Sequence, residues 1–293
     1  MMSSVAVNDR WSIKPITAMN AEQFELWQAL LEERTGMTVS AERKSFLETS
    51  LSMRMRELEM DDYDEYYEYL VGGSTESRAM EWTILVDRLT VQETSFFRHP
   101  GSYALAEDFV KRFVQQQDND ATLDVWSVGC STGEEPYSLA MVIEEQFRGR
   151  KPLERYGITA TDISMPTLSK ARKGVYSRRK VEMIEASLRA RYFRELSDRE
   201  MEVVPELRDR ICFARVNVLE LDRAPMRDMD LIFCQNMLIY FRRWRKREIA
   251  NRLADRLAPG GLLVFGPGEI TEWRHPQLER VQFEDALAFQ RRR

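Results

Sequence analysis

The sequence predicts an α/β chain: a doubly wound, mostly parallel sheet that carries a small inserted antiparallel β-subdomain and follows an N-terminal all-α helical bundle. Three observations lead there. From Leu123 onward, short apolar strands alternate with amphipathic helical stretches, the pattern of parallel strands joined by crossover helices. Between Asn20 and Leu89, four short segments carry apolar residues at helical spacing, which reads as a bundle. The charge balance shifts at the same boundary: residues 1–90 hold 17 acidic and 9 basic side chains, the remainder 31 and 34.

Composition narrows the class further. The 293 residues are 43% apolar and 31% charged, as in an ordinary globular chain. A net charge of −5 with no concentrated basic surface argues against nucleic acid. Cys130, Cys212 and Cys234 stand far apart and only two histidines are present, so neither a disulfide framework nor a metal site is expected. No apolar run reaches the roughly 18 residues needed to cross a bilayer, and the N-terminus lacks a secretory core. A cytoplasmic chain, without direct membrane insertion, is therefore expected.

In order along the chain, residues 1–19 read as an arm, with Trp11 and Ile13 available to dock. A helical domain spans 20–89. Asn20 and Gln23 can form a capping box, Phe24, Trp27, Leu30 and Leu31 line the first helix, and Gly36 stops it. Ser40 caps a second helix, about 41–59, whose apolar face is Leu47, Leu51, Met55 and Leu58. Tyr63–Val71 forms the third. A fourth, from Thr75, should turn Met80, Ile84 and Trp82 inward. The second helix carries Arg43, Lys44, Arg54 and Arg56. On a helical wheel Arg43 and Arg54 nearly coincide, with Lys44 about 80–100° away and Arg56 towards the opposite side. The group is either a solvated face or a docking surface for an acidic partner helix.

A segment at 90–102 joins the two halves. It is too rich in polar and aromatic residues for a passive linker, and burial of Phe96-Phe97 would fix Thr94 and Arg98. The sheet domain occupies 103–293. A helix at about 103–117 leads through the QQQDND turn to strand Leu123–Val128, then a glycine turn and a helix at about 134–147. Strand Gly157–Thr161 ends in Asp162, and Ser164 caps the next helix, with Pro166 in its first turn. An insertion at about 178–216 should hold a charged helix and two or three antiparallel strands, among them Met201–Val204 and Ile211–Val216. Strand Asp230–Cys234, a helix at about 243–257 closed by Pro259-Gly260-Gly261, strand Leu262–Gly266 and an edge at about 281–290 complete the sheet.

Ligands of open α/β sheets sit beyond the carboxyl ends of the strands. Three such ends stand out here: the Gly129–Glu134 turn, Asp162, and Gln235-Asn236 followed by Tyr240. The glycines would let a ligand approach the backbone. Glu134 argues against a phosphate and for hydroxyls or positive charge. Asp162, about 30 residues on, is where an acid holds ribose hydroxyls. The G-x-G-x-x-G of dinucleotide enzymes is missing. Taken together these features describe an adenosyl site without a pyrophosphate turn, which points to S-adenosylmethionine rather than NAD or FAD.

The segments TSFFRHP (Thr94–Pro100), STGEEPYSLAM (Ser131–Met141), ATDIS (Ala160–Ser164), ARKGVYS (Ala171–Ser177) and DLIFCQNMLIYF (Asp230–Phe241) resemble the CheR family of chemoreceptor glutamate methyltransferases, over about residues 20–290. RTGM and ERKSFL are similar to the branch serving pilus chemosensory arrays, PilK. The resemblance implies a class I methyltransferase fold that transfers a methyl group from S-adenosylmethionine to glutamate carboxylates of a chemoreceptor's helical cytoplasmic domain, leaving S-adenosylhomocysteine. A monomer is expected. Residue by residue it implies Thr94 and Arg98 at the methionine moiety, Glu134 beside its amino-acid part, Asp162 at the ribose, Asn217 and Val218 flanking the adenine, and Gln235 and Asn236 lining the cleft. Tyr240 would face the sulfonium and the incoming carboxylate, with Arg98 as a second catalytic group. Gln92 and Gln235 stand where the family often has Asn and Arg, so contacts there are weaker expectations. Arg43, Lys44 and Arg54 would dock the receptor. Phe193–Glu206 lacks the glycine-x-glycine turn of relatives that bind a receptor's C-terminal pentapeptide, so no such tether is expected. The rival functions are a methyltransferase acting on another substrate and a non-catalytic binder of the cofactor or its product.

Overall fold

The computed structural model describes residues 18–72, 75–90, 93–116, 121–148 and 156–293. The arm with Trp11 and Ile13, Gln92 and most of the QQQDND turn lie outside them. The chain divides into two compact units, Met1–Leu30 with Val39–Leu85, and Leu31–Thr38 with Val86–Arg293.

Four helices build the first unit: α1 (Ala21–Thr35, its last turn counted with the second unit), α2 (Lys44–Glu57), α3 (Tyr63–Gly72) and α4 (Thr75–Leu89). Asn20 and Gln23 form the reciprocal capping box: Gln23 N–H donates to Asn20 Oδ1 at 2.8 Å and Asn20 N–H to Gln23 Oε1 at 3.1 Å. A 3₁₀ turn, Ala41–Arg43, stands where the expected second helix would have begun. Trp27, Leu47, Leu51, Met55, Tyr66 and Leu70 fill the interior. The inward face of α4 differs from the expected one. Met80 is 69% exposed, while Glu81 is 3% exposed and Leu85 fully buried. A carboxylate can be buried there because Arg54 grips it with both arms of its fork, Nε to Oε1 at 2.8 Å and Nη2 to Oε2 at 2.6 Å, and Tyr66 donates its hydroxyl at 2.6 Å. Arg54 also pairs with Glu57. This corrects the expectation that Arg54 belongs to a free docking face: its guanidinium is committed inside the unit.

The second unit runs α5 (Pro100–Gln116), β1 (Leu123–Val128), α6 (Glu134–Phe147), β2 (Tyr156–Asp162), α7 (Met165–Lys173), β3 (Val175–Ser177), α8 (Arg178–Val181), α9 (Ala186–Tyr192), β4 (Phe193–Glu195), β5 (Glu200–Val203), α10 (Pro205–Arg208), β6 (Ile211–Arg215), β7 (Met229–Cys234), α11 (Arg243–Ala254), β8 (Leu257–Phe265), β9 (Leu278–Val281) and β10 (Leu287–Arg291). The main sheet has the order β6-β2-β1-β7-β8-β10-β9, parallel from β6 to β8, with β10 antiparallel to both neighbours. Alternate strand residues face two cores. Val125, Leu231, Phe233 and Val264 pack with α5, α6 and α7 on one side; Trp126, Ile232, Leu263 and Phe265 pack with α11 on the other.

Two readings need correction. Ile211–Arg215 is not part of the insertion but pairs in parallel with β2 as the sheet's edge; the small sheet is β3-β5-β4, drawn from Val175–Ser177 onward. Pro259-Gly260-Gly261 does not close the preceding helix but lies within β8, where the register against β7 shifts between Met229 and Leu231. A Cβ on Gly261 would sit 2.8 Å from Met229 O, so the irregular pairing needs a residue without a side chain.

Breaking a buried ion pair from one side leaves the other charge uncompensated. Arg54→Ala is therefore expected to cost the helical unit about 3 kcal/mol, read as a lowered thermal midpoint by circular dichroism. A midpoint equal to wild type would show that Glu81 finds another partner.

Candidate active site

The strand order reverses direction between β1 and β7, and the cleft lies at the carboxyl ends of the strands around that switch. It occupies about 1060 Å³, counting its open mouth, within the second unit. Of the expected residues, Thr94, Arg98, Asp162, Asn217, Val218, Gln235, Asn236 and Tyr240 line it.

All but Val218 are positioned by contacts of their own or of their immediate neighbours. Phe96 is buried edge-on against Tyr176 and Phe193, with centroids at 4.9 and 5.5 Å, and the N–H of the half-buried Phe97 donates to Ser138 Oγ. These rings fix the backbone that presents Thr94 and Arg98. Arg98 Nη1 donates to Glu93 O at 2.9 Å and is the one cation among the described lining residues. Asp162 accepts Ser131 N–H on one oxygen and Ser164 N–H on the other, both at 2.9 Å. Burial raises its pKa, and those two donors act against the rise. Asn217 caps the turn that follows β6, accepting Leu219 N–H at 3.0 Å, and donates to Arg34 O at 3.0 Å. Gln235 is buried, with its amide turned to Ser102 Oγ at 2.6 Å. Asn236 adopts a positive φ of 59° and its Oδ1 lies 2.8 Å from His99 Nε2. Thr38 N–H donates to Tyr240 O at 2.8 Å, and Met37 bridges to Phe241, so the end of α1 braces the Tyr240 segment.

Glu134 departs from its expected place. It is fully buried and does not line the cleft; it pairs with Lys180 of α8 at 2.5 Å and accepts Thr132 Oγ1 at 2.6 Å. Its neighbour Glu135 lines the cleft instead, accepting Ser127 Oγ at 2.7 Å, with its pKa pushed up to about 8, chiefly by burial. Consecutive helical residues point about 100° apart, so two adjacent acids cannot share one role. The glycines also do something other than expected. A Cβ on Gly129, at φ +74°, would meet Met237 Cγ at 3.0 Å, and one on Gly133 would meet Ala171 and the Tyr176 hydroxyl at 2.9 Å. They admit protein neighbours to the turn as well as any ligand.

Glu269 was not legible in the sequence. It is 4% exposed and accepts the N–H groups of Asn236 and Gly266 at 2.8 Å and of Ile239 at 3.3 Å, which holds the loop after β7 against the end of β8. Burial raises its pKa. The only signal is position: an acid just past Gly266-Pro267-Gly268 at a strand end.

The donor set fits S-adenosylmethionine. Glu93, Glu135 and Asp162 give the lining an acidic character that disfavours phosphate and favours a cationic ligand. Ser131, whose buried Oγ has no hydrogen-bond partner among the described residues, belongs to the same lining. Met37, Val216, Val218 and Phe241 supply apolar wall for a base. Among the described residues no His, Cys, Asp and Glu group is arranged to hold a metal, and no helix is long and apolar enough to cross a membrane.

Comparison with known proteins agrees. Residues 92–286 match the family described as CheR methyltransferase, SAM binding domain, and residues 22–90 match CheR methyltransferase, all-alpha domain. The chain is 32% identical over 251 residues to chemotaxis protein methyltransferase 2 of Pseudomonas aeruginosa, covering 85% of this chain and 86% of that one. It is 31% identical to the chemotaxis protein methyltransferase of Escherichia coli K12 (86% and 85% covered), and 28% identical to chemotaxis protein methyltransferase 1 of P. aeruginosa (94% and 99%). With its two-part organisation, its acidic cleft at the switch point and these matches, the chain belongs to the CheR methyltransferases, S-adenosylmethionine-dependent protein-glutamate O-methyltransferases.

Proposed function

We propose that the chain methylates glutamate side chains of a bacterial chemoreceptor in the cytoplasm for sensory adaptation, with Arg98 and Tyr240 handling the incoming carboxylate and without a pentapeptide tether. The observation that carries the reading is the cleft itself: an acidic, partly apolar pocket whose one described cation is Arg98, with Tyr240 also in its lining. The bound cofactor supplies an electrophilic methyl group. A substrate glutamate, whose side chain ordinarily titrates at about pH 4.3, is already ionised at neutral pH and needs no general base. One carboxylate oxygen forms the new O–C bond while the C–S electron pair goes to sulfur. The protein's task is alignment. Arg98 anchors the carboxylate by charge-assisted hydrogen bonding, and Tyr240 orients it. Asp162 holds the ribose, with Asn217 and Val218 at the adenine. Glu135 takes the place expected for Glu134 beside the cofactor's amino-acid part.

Receptor docking falls to Arg43 and Lys44 of the helical unit. Lys44 donates to Met19 O and makes only a long, 3.8 Å pair with Glu48, and Arg43 lies over the Phe46 ring at 5.0 Å, so neither is locked into a short ion pair as Arg54 is. Independence from a tether is supported by the β4–β5 hairpin: it closes through Leu196 and Ser197 N–H to Glu200 O over a charged loop without glycine. Placement in the branch serving pilus arrays rests on the RTGM and ERKSFL segments alone.

The defining experiment incubates the protein with cofactor and receptor cytoplasmic fragments and looks by mass spectrometry for methyl groups on glutamate. Arg98→Ala and Tyr240→Phe should each lower transfer at least about tenfold, the loss of one hydrogen bond to a charged group; unchanged transfer in both sinks the assigned roles. Arg43→Glu with Lys44→Glu should raise the KM for receptor without changing cofactor affinity, and a receptor C-terminal pentapeptide should give no calorimetric signal. Micromolar peptide binding would overturn the tether claim.

Glu135 sets a pH dependence. Its folded pKa of about 8 exceeds the carboxyl value of the unfolded chain, so between the two the native state holds a proton that the unfolded state has released. Stability of the cofactor-free protein should therefore fall as pH rises from about 5 to 8, and Glu135→Gln should flatten that slope in thermal melts. A cationic ligand favours the carboxylate, so S-adenosylmethionine should bind more tightly as pH rises towards 8 in wild type, and S-adenosylhomocysteine, which lacks the sulfonium, less steeply. Identical slopes for the two ligands would remove Glu135 from the sulfonium's surroundings.

A further inference from the structure

The stretch from Arg242 to Arg252, together with Ile239, forms a lip that the cleft chemistry leaves unused. Between Arg242 and Arg252 stand six basic residues and one acidic one. Trp244 is 54% exposed and Ile239 51% exposed, unusual for residues whose neighbours Leu238 and Ile249 are buried. Arg245 lies over the Trp244 ring at 4.1 Å, which presents the indole as a fixed platform. Trp244 is four residues beyond Tyr240, a lining residue, so the lip adjoins the mouth of the cleft.

The charges on the lip are only partly balanced. Arg242 pairs with Glu32, Arg245 with Glu248, and Arg252 with Glu248 and Asp222. Arg243 pairs with Glu272, but both side chains are highly exposed, so that pair is weak and exchangeable. Lys246 and Arg247 reach only the carbonyl oxygens of Glu269 and Glu272, and have no carboxylate partner among the described residues. These cations also crowd the start of α11, where the helix dipole is already positive, and Arg242 makes no side-chain cap there. The local arrangement works against the helix, and an anion brought from outside would relieve it.

We propose that Arg243, Trp244 and Arg247, with Ile239, receive an acidic segment of the methyl-accepting protein that flanks the target glutamate. The inference rests on the glutamate-methylating function proposed above. Charge complementarity selects this occupant: the substrate must bring at least one carboxylate to the adjacent cleft, and further acids beside it would meet Arg243 and Arg247 while their apolar neighbours cover Trp244 and Ile239. The lip thus adds sequence preference to a cleft that itself recognises only a single carboxylate.

The test compares wild type with Arg247→Glu, Arg247→Lys and Trp244→Ala on one receptor fragment. Arg247→Glu should raise the receptor KM about tenfold and reduce its salt dependence, with cofactor affinity by calorimetry and kcat at saturating receptor unchanged. Arg247→Lys should restore most of the KM. Trp244→Ala should raise KM at all salt concentrations. Replacing acids beside the target glutamate by glutamine should raise the wild-type KM and leave that of Arg247→Glu where it is. An unchanged receptor KM in Arg247→Glu overturns the proposal, as does a variant that loses binding to anionic phospholipid vesicles while its receptor KM stays fixed. If wild type transfers no methyl to any receptor fragment, the parent function has failed and this inference with it; transfer by wild type with variants indifferent removes the lip alone.

Discussion

The cleft depends on Asp162 accepting two backbone N–H groups at once. One comes from Ser131, in the turn after β1, and the other from Ser164, at the cap of α7. Neighbouring parallel strands end at the same level, and their outgoing loops would otherwise diverge with unpaired amides. A carboxylate at the end of β2 ties both, each bond worth about 1.5–3 kcal/mol as a hydrogen bond to a charged group. Glu269 makes the same kind of tie on the other side of the switch point, joining the loop after β7 to the end of β8 through three N–H groups. Two acids, the half-buried Asp162 and the buried Glu269, therefore clamp four strand ends. Asp162 also contributes to the acidity of the cleft, so in that residue stability and ligand preference have one physical source.

A second layer of contacts reaches the same turn from the inserted subdomain. Tyr176 donates its hydroxyl to Thr132 O at 2.7 Å, and Lys180 pairs with Glu134. Glu134 is thus the point where the small sheet grips the glycine turn, and Glu135 is where the turn faces the cleft. The order matters chemically. A carboxylate already neutralised by Lys180 adds little to the cleft, whereas Glu135, facing Ser127 Oγ and poor in solvent, responds to any positive charge brought near it.

Alternating apolar strands and helices made the doubly wound sheet legible, because a parallel sheet buried on both faces has no other way to write itself. Strand-end residues such as Asp162 and Asn236 were legible for the same reason: topology puts such ends together whatever the side chains. What periodicity could not show were residues that violate it with a partner in hand. Glu81 reads as a surface acid until Arg54 and Tyr66 are seen closing on it, and Arg54 reads as a docking cation until Glu81 is seen. Ile211–Arg215 follows antiparallel strands in sequence yet pairs with β2, a choice fixed by tertiary packing rather than by its own pattern. Gly260-Gly261 carries the usual signal of a helix end, but the same flexibility serves an irregular strand pairing. Glu269 lies 33 and 30 residues from two of the three amides that it binds, so no local motif could announce it.

The acidity that suits a cationic methyl donor works against the second reactant, which is itself a carboxylate. Coulomb repulsion from Glu93, Asp162 and an ionised Glu135 would oppose its entry, and Arg98 is the one described lining cation that opposes them. Two features of the chain ease the conflict. Glu135 holds its proton up to about pH 8 in the empty cleft, against the pull of Arg98, so the empty cleft is less negative than its residues suggest. When the donor is bound, its sulfonium offsets the acid it has helped to ionise. With the donor in place the cleft is then no more hostile to a carboxylate than it is when empty. On the proposed chemistry, transfer cancels the sulfonium against the carboxylate. Both products are left with weaker electrostatic ties to the site, and an exposed, cationic lip outside the cleft holds a substrate through this exchange better than any charge placed within it.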